Sequence, residues 1–216
     1  FRAYYALPSL TNKNGTPVGA VMGFCNMLFK LLEEKKSKKV IVIFDTARKT
    51  FRNNIYKNYK ANRGDPPEDL VPQFELIRKA VDAFSVSRLE LSGYEADDLI
   101  ATYSRFFTKK DWDISIISSD KDLMQLIGDK VHMLDPIKNK IIKKQEVIEK
   151  FGVPPEKVID VQSLAGDSID NIPGAPGIGL KTGALLVKEY GSLENLLLNF
   201  SKIKQNKTRE SIEKNL

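Results

Sequence analysis

The sequence has 216 residues, enough for one sizeable core or for one core plus a small satellite domain. Hydrophobic residues make up 42% and charged residues 29%, as is typical of a soluble globular protein, and no apolar run approaches the roughly 20 residues of a membrane span. Cys25 and His132 are the only soft or imidazole ligands, which excludes an internal disulfide, structural zinc and cysteine–histidine catalysis. Any metal ion must therefore be bound by oxygen.

The charge is unevenly distributed along the chain. Lys and Arg number 34 against 28 Asp and Glu, for a net charge of +6. Residues 30–63 contain eleven basic residues and three acidic ones, whereas residues 90–122 contain eight acidic and four basic ones. A basic arm beside an acidic centre is typical of proteins that bind metal ions and phosphate groups.

The predicted elements alternate between helix and strand. In chain order they are a helix in VGAVMGFCNMLFKLLEEKK, a strand in KKVIVIFD, a helix in EDLVPQFELIRKAVDAF, a strand in SRLELSG, a helix in EADDLIATYSRFF, a strand in DISIISSD, a short helix in DLMQLI and a strand in KVHML. This order predicts an α/β fold with a largely parallel central sheet flanked by helices.

The character of the sequence changes near Phe151 to helices separated by turns rich in Gly and Pro. We expect an α/β domain over residues 1–160, with the basic arm at about 48–66, and a helical subdomain over residues 161–216. The polar tail SKIKQNKTRESIEKNL is expected to be partly mobile and to carry no site.

Eight carboxylates lie where predicted strands end or where helices and turns begin: Asp45, Glu95, Asp97, Asp98, Asp120, Asp122, Asp167 and Asp170. Ligands of open α/β sheets bind at this edge, so we expect these side chains to converge. Oxygen ligands suit Mg²⁺, and two such ions about 3.5–4 Å apart suit phosphodiester hydrolysis. The alternative for Glu95–Asp98 is a solvated acidic helix start.

The basic arm RKTFRNNIYKNYKANRGDPPEDL interleaves cations with the aromatic residues Phe51, Tyr56 and Tyr59. Such a pattern favours a grip on single-stranded nucleic acid, with charge on phosphates and rings on bases. A solvated amphipathic helix is the alternative. Candidate contacts from the arm are Arg48, Lys49, Arg52 and Tyr59.

PGIGLKTGALL has Gly177 and Gly179 before a helix that opens with Lys181 and Thr182. Free N–H groups at such a helix start can bind a phosphate oxygen. The spacing is not that of a Walker loop, which argues against binding of a nucleoside triphosphate. A helix-hairpin-helix hold on duplex backbone fits better, and a plain helix–helix turn is the alternative.

Several motifs together resemble the 5′→3′ nuclease domain of bacterial DNA polymerase I: FRAYYALP, VIFDTARKTFR, YKANR, GYEADDLIA, ISSDKDLMQL and GDSIDNIPGAPGIGLKTGALLV. The likeness runs from Phe1 to about Gly191. It implies an α/β nuclease related to flap endonucleases, with a helical arch and a helix-hairpin-helix. It also implies a monomer in the bacterial cytoplasm, associated with the nucleoid, that removes flaps and RNA primers from DNA and precedes a polymerase domain.

The resemblance also assigns roles. The eight carboxylates become candidate ligands of two Mg²⁺ ions, for which Mn²⁺ is expected to substitute, and a monovalent cation is expected at the helix-hairpin-helix. Lys60 and Arg63 match basic arch residues that steer the 5′ strand and stabilise transition-state charge, and Tyr59 matches a base-stacking position. Arg2 matches a basic residue near the scissile phosphate.

One departure from the family pattern leaves an alternative open. Family members carry a strand and a metal-binding Asp in an Asp-Gly turn directly before the segment equivalent to Phe1–Tyr4. This sequence opens at Phe1 and looks like an excised piece, so the alternative to an active nuclease is an impaired fragment that binds DNA without cutting it. A phosphohydrolase with Asp45 as nucleophile fits less well, because Ala47 stands where its second Asp is usual.

Overall fold

The computed structural model describes residues 1–6, 8–35 and 39–215. Its helices are α1 (Arg2–Ala6), α2 (Gly19–Lys35), α3 (Phe51–Ile55), α4 (Val71–Ala83), α5 (Ala96–Thr108), α6 (Lys144–Phe151), α7 (Val158–Ala165), α8 (Leu180–Tyr190), α9 (Leu193–Leu198) and α10 (Asn206–Glu213). Its strands are β1 (Ile41–Ile43), β2 (Ser87–Leu89), β3 (Ile114–Ile117), β4 (Val131–Asp135) and β5 (Lys140–Ile142). The chain forms two compact units, residues 1–50 with 64–99 and residues 51–63 with 100–216.

The first unit packs α2 and α4 beside a parallel pair of strands, β1 and β2. Gln73 of α4 is buried, and its Oε1 accepts hydrogen bonds from the N–H groups of Ala20 (2.8 Å) and Val21 (3.3 Å). These N–H groups belong to the first turn of α2 and have no partner inside that helix. One amide side chain therefore satisfies two donors of the helix start, of which that of Ala20 is buried, and fixes α4 against the start of α2.

The second unit is built on a three-stranded sheet in which β3 pairs parallel with β4 and β4 pairs antiparallel with β5. Its core is apolar and continuous, with Met133 of the sheet, Phe151 of α6 and Val158 and Val161 of α7 all at most 2% exposed. Further along the chain, Val187, Leu196, Ile203 and Ile212 belong to the same core. The C-terminal helices thus fold onto the sheet of this unit.

The structure confirms an α/β fold with a helical C-terminal part. Three details differ from the expectation. The short strand β5 falls in PIKNKIIKK, whose alternation is too brief to predict a strand, and it adds an antiparallel pair. DLMQLI forms a 3₁₀ helix over Asp122–Leu126. The polar tail folds as α10, because Ile203 and Ile212 provide buried anchors.

No helix within the described residues is long and apolar enough to cross a membrane.

Gly166 permits a close backbone crossing beside the loop 167–172, and Gly177 has a similar backbone conformation without such a crossing. Gly166 has φ +70°, in the left-handed region, and a Cβ atom there would stand 2.6 Å from the carbonyl oxygen of Ile172 and closer still to Gly174 N. Gly177 has a similar φ of +78°, but a Cβ atom there would have no neighbour within 4 Å. The two positions share the backbone strain and differ in the space available.

Alanine substitution separates these two effects. We expect Gly166→Ala to lower the free energy of unfolding by about 3 kcal/mol or more, since steric overlap adds to the backbone strain. Gly177→Ala should lower it by only about 1 kcal/mol. Urea unfolding measures both values, and equal losses would show that the crossing at Gly166 adds nothing.

Candidate functional site

In the first unit, Asp45 lies next to the start of α5. The residue follows β1, and its Oδ1 accepts a hydrogen bond of 2.7 Å from the backbone N–H of Ala96. Its own carbonyl oxygen accepts a hydrogen bond of 3.0 Å from Arg78 Nη2. The predicted meeting of the β1 carboxylate with the acidic helix start therefore occurs within this unit.

The acidic start of α5 also caps its own helix. Asp98 Oδ2 accepts a hydrogen bond of 2.9 Å from the backbone N–H of Glu95, and Glu95 is 9% exposed. Carboxylates at this position interact favourably with the positive end of the helix dipole. Asp97 lies in the same first turn. Helix capping is thus one role of this group.

In the second unit, Asp120 and Asp122 follow β3. Asp120 Oδ1 accepts a hydrogen bond of 3.0 Å from the backbone N–H of Asp122, and Asp122 Oδ1 accepts one of 2.6 Å from Gln162 Nε2 of α7. Burial raises the pKa of Asp122; the Gln162 hydrogen bond opposes the shift and the nearby Asp120 carboxylate adds to it. Two carboxylates held this close favour a shared cation.

The third acidic group of the second unit is a tight loop. Asp167 and Ile172 exchange two backbone hydrogen bonds of 2.8 Å, and Asp167 Oδ1 accepts N–H groups of Ile169 (2.8 Å) and Asp170 (3.2 Å). Its other oxygen, Oδ2, pairs with Lys121 Nζ at 2.5 Å. Burial acts to raise the pKa of Asp167, but the Lys121 and N–H hydrogen bonds outweigh it and lower the pKa.

The basic arm meets this loop at Asp170, whose side chain is only 14% exposed. Asp170 Oδ1 pairs with Arg63 Nη2 at 2.5 Å, and Oδ2 accepts a hydrogen bond of 3.2 Å from the Tyr59 hydroxyl and lies 3.7 Å from Lys60 Nζ. Tyr59 is 6% exposed. The ring predicted to stack on a base is therefore buried in this conformation, and its base contact stays a prediction.

The other predicted arm residues are exposed, except Arg52, which is half-buried. In the first unit, Arg48 pairs with Asp65 and donates a hydrogen bond of 3.2 Å to the carbonyl of Gly64, and Lys49 is exposed. In the second unit, the Arg52 guanidinium lies 4.7 Å from the ring centroid of Phe51. The Arg2 backbone begins α1, but its side chain is outside the described part of the structure.

The glycine motif forms the entry to α8. Gly177 has φ +78°, Ile178 is buried, and Gly179 caps the helix in an extended conformation. Lys181 is exposed and Thr182 half-buried in the first turn. Gly183 lets the helix approach α7, where a Cβ atom would stand 3.3 Å from the carbonyl oxygen of Val161. The turn therefore places two exposed glycines and an exposed lysine together at the start of α8.

The donor chemistry fits a hard divalent cation, because each candidate supplies carboxylate oxygen. Within residues 1–6, 8–35 and 39–215, however, no three Asp, Glu, His or Cys side chains stand close enough together to hold a metal ion. The second unit shows one physical reason. Lys121, Lys60 and Arg63 engage Asp167 and Asp170 and so balance the charge that a cation would otherwise neutralise.

Sequence reasoning missed three residues that organise the acidic groups. Lys121 stands between Asp120 and Asp122 in the chain, and this alternation of charge is a signal that could have identified it. Gln162 lies 40 residues from its partner Asp122 in the chain, and no local pattern predicts that hydrogen bond. Asp135, buried at the end of β4, accepts hydrogen bonds from Ser119 Oγ (2.8 Å) and from two turn N–H groups.

Comparison with known proteins covers the whole chain. Residues 1–152 match the 5′-3′ exonuclease N-terminal resolvase-like domain, and residues 153–216 match the 5′-3′ exonuclease C-terminal SAM fold. Among solved structures, the bacteriophage T5 5′-exonuclease with bound zinc has a TM-score of 0.79 at 23% identity, covering 89% of this chain and 75% of its own. The catalytic core of Rad2 in complex with DNA substrate has a TM-score of 0.61 at 16% identity, covering 98% and 68%.

Curated relatives are more similar in sequence. DNA polymerase I of Rhizobium leguminosarum is 54% identical over all of this chain, which spans only 22% of the length of that polymerase. The 5′-3′ exonuclease of Aquifex aeolicus is 40% identical over 95% of this chain and 71% of its own length. The two family models together span every residue of the chain, and the Aquifex aeolicus relative is matched over most of its length. The chain belongs to the 5′-3′ exonuclease family.

Proposed function

We propose that this chain is a nuclease domain that depends on divalent metal ions and hydrolyses phosphodiesters at 5′ flaps and branched or nicked 5′ ends of DNA, and at RNA primers. One observation carries the proposal furthest. In the second unit, the arm cations Lys60 and Arg63 lie directly on Asp170, in the loop that also carries Asp167. Cations that we propose bind phosphate and carboxylates that we propose bind metal ions thus lie in one small region, an arrangement that would suit phosphodiester hydrolysis.

Different residues of the chain would have different roles in this reaction. The eight candidate carboxylates are the proposed ligands of two Mg²⁺ ions in total, with Mn²⁺ as a substitute, and these ions would supply charge neutralisation and water activation when bound. Gln162 orients Asp122, and the loop N–H groups orient Asp167. Lys60 and Arg63 would bind the phosphates of the 5′ strand and stabilise negative charge as it develops.

The α8 entry would hold the duplex beside the cut. The exposed residues Gly177, Gly179 and Lys181 support contacts to the phosphate backbone, which carry no sequence information. Thr182 would add a hydroxyl contact. A monovalent cation at this turn would neutralise the same phosphates. Arg48, Lys49 and Arg52 extend the positive surface along the chain.

The relatives support the biological setting. The T5 flap endonuclease was solved in a complex with DNA and metal ions, and this chain spans about a quarter of several bacterial DNA polymerases. We infer a role in replication and repair on cytoplasmic DNA, with a polymerase domain in the same protein. The runner-up is a form that binds branched DNA without cutting it, which is favoured by the finding that no three acidic side chains within the described residues stand close enough together to hold a metal ion.

Cleavage of a labelled 5′-flap DNA tests the proposed reaction. Cutting near the junction is expected with Mg²⁺ and not with EDTA, in the full-length protein that contains this chain. Asp97→Ala should lower the cleavage rate by at least about 100-fold. Loss of a metal ligand should reduce activity at least as much as loss of a residue that supports a ligand does. Asp113→Ala, at an exposed carboxylate, is the matched control and should retain the rate. Flap binding without cutting in the full-length protein would favour the runner-up.

Duplex binding tests the role of α8. Lys181→Ala should weaken binding to duplex DNA and reduce by about 1 the slope of the logarithm of affinity against the logarithm of salt concentration, as expected for one lost phosphate contact. Lys188→Ala removes the same charge from the last turn of α8 and should leave the slope unchanged. Equal slopes for the two variants would show that the α8 entry does not contact the backbone.

A further inference from the structure

The arm segment of residues 56–63 is fastened to the loop of residues 167–171. We propose that the Asp170 carboxylate binds one of two alternative partners, and we call this arrangement the latch. The carboxylate binds Tyr59, Lys60 and Arg63 of the arm in the state described here, and a divalent cation that binds the carboxylate instead releases the arm. The inference deepens the proposed function, since it rests on Asp170 being a metal ligand. It also gives Tyr59 a positioning role through Asp170.

Main-chain groups form one layer of this latch. The backbone N–H of Lys60 donates to the carbonyl oxygen of Asp170 at 2.9 Å. Asn171 Nδ2 donates to the carbonyl of Asn58 at 2.7 Å, and Asn62 Nδ2 donates to the carbonyl of Ser168 at 2.9 Å. Three hydrogen bonds thus join two segments more than one hundred residues apart in sequence, which fixes where the arm lies.

The Asp170 carboxylate forms the second layer. Both of its oxygens are engaged by the arm, Oδ1 by Arg63 and Oδ2 by Tyr59 and Lys60. At 14% exposure the carboxylate is largely removed from water, so loss of its counter-charges would leave a poorly solvated anion. A divalent cation can replace those counter-charges, whereas water replaces them poorly. The arm and the cation therefore compete for one carboxylate.

Backbone conformation indicates that the latched state is held under strain. Lys60 has φ 54° and Asn171 has φ 57°, both in the left-handed region that disfavours residues other than glycine. Asn tolerates this region better than Lys does, so the strain is concentrated at Lys60. Such strain persists only while surrounding contacts maintain it. Loss of the Asp170 contacts would allow the arm to relax away from the loop.

Competition for one carboxylate is reciprocal. If cation binding favours the open arm, then a mutation that favours the open arm by some factor must tighten cation binding by up to the same factor. Coupled sites in proteins typically affect each other by about 5-fold to 150-fold. The latch therefore predicts two linked quantities, arm opening and Mg²⁺ affinity, and neither requires a catalytic turnover to be measured.

Hydrogen exchange and calorimetry measure these quantities. Saturating Mg²⁺ should speed exchange of the Lys60 amide by at least about fivefold, the lower end of typical coupling. The amide of Ile172, which donates to Asp167 within the loop, should stay protected and serves as the internal reference. Unchanged or slower exchange of the Lys60 amide with bound Mg²⁺ would overturn the latch.

Variants separate the latch from general effects of charge. Arg63→Gln should speed exchange of the Lys60 amide without metal and tighten Mg²⁺ binding by up to the same factor. Lys57→Gln removes the same charge from an exposed position of the same segment and should change neither quantity by as much. Tyr59→Phe, which deletes only the hydroxyl, should act like Arg63→Gln to a smaller extent. Equal effects of Arg63→Gln and Lys57→Gln would overturn the latch.

Flap cleavage by the same wild-type protein distinguishes the latch from the proposed function. Cleavage with Mg²⁺ while the arm amide does not respond means that the nuclease stands and the latch is wrong. Arm release by Mg²⁺ without cleavage means that the latch stands and the nuclease reaction is wrong. Mg²⁺ that binds without the reciprocal effect of Arg63→Gln also rejects the latch.

Discussion

Repulsion between carboxylates is the constraint around which each unit is organised. Acidic side chains gathered at the ends of strands raise one another's free energy unless positive charge lies nearby. The first unit supplies helix N–H groups, one of which binds Asp45 at 2.7 Å. The second unit supplies Lys121 on Asp167 and the arm cations on Asp170. Each unit thus places N–H groups or cationic side chains beside its carboxylates.

The partners that stabilise each carboxylate affect chemistry as well as stability. A carboxylate that is fixed by hydrogen bonds, as Asp122 is by Gln162, keeps its direction when its counter-charge changes. A carboxylate held by a mobile lysine or arginine can exchange that partner for another cation. The loop of residues 167–172 combines both, since Asp167 Oδ1 is bound by loop N–H groups while Oδ2 is bound by Lys121.

Sequence reasoning predicted those parts of the fold and site that depend on local pattern. Apolar runs identified β1 and β3, which lie in separate sheets, and each strand is followed in the chain by a candidate carboxylate. Contacts between residues far apart in sequence left no local signal: Gln162 on Asp122, and Tyr59 on Asp170. An aromatic residue among cations indicates nucleic-acid binding in sequence, yet the same tyrosine is buried here because its hydroxyl finds a carboxylate across the unit.

The interleaved order of the two units along the chain affects synthesis of the protein. The segment 51–63 belongs to the unit otherwise formed by residues 100–216. The carbonyl oxygen of Asn58 can accept its hydrogen bond only after Asn171, 113 residues later in the chain, has been synthesised. A ribosome adds about 5–20 residues each second, so the arm stays unpaired for several seconds after it emerges. During that interval its basic and aromatic side chains are open to nucleic acid and to chaperones. Synthesis of the loop of residues 167–171 therefore decides when the arm can first pair with its partner segment.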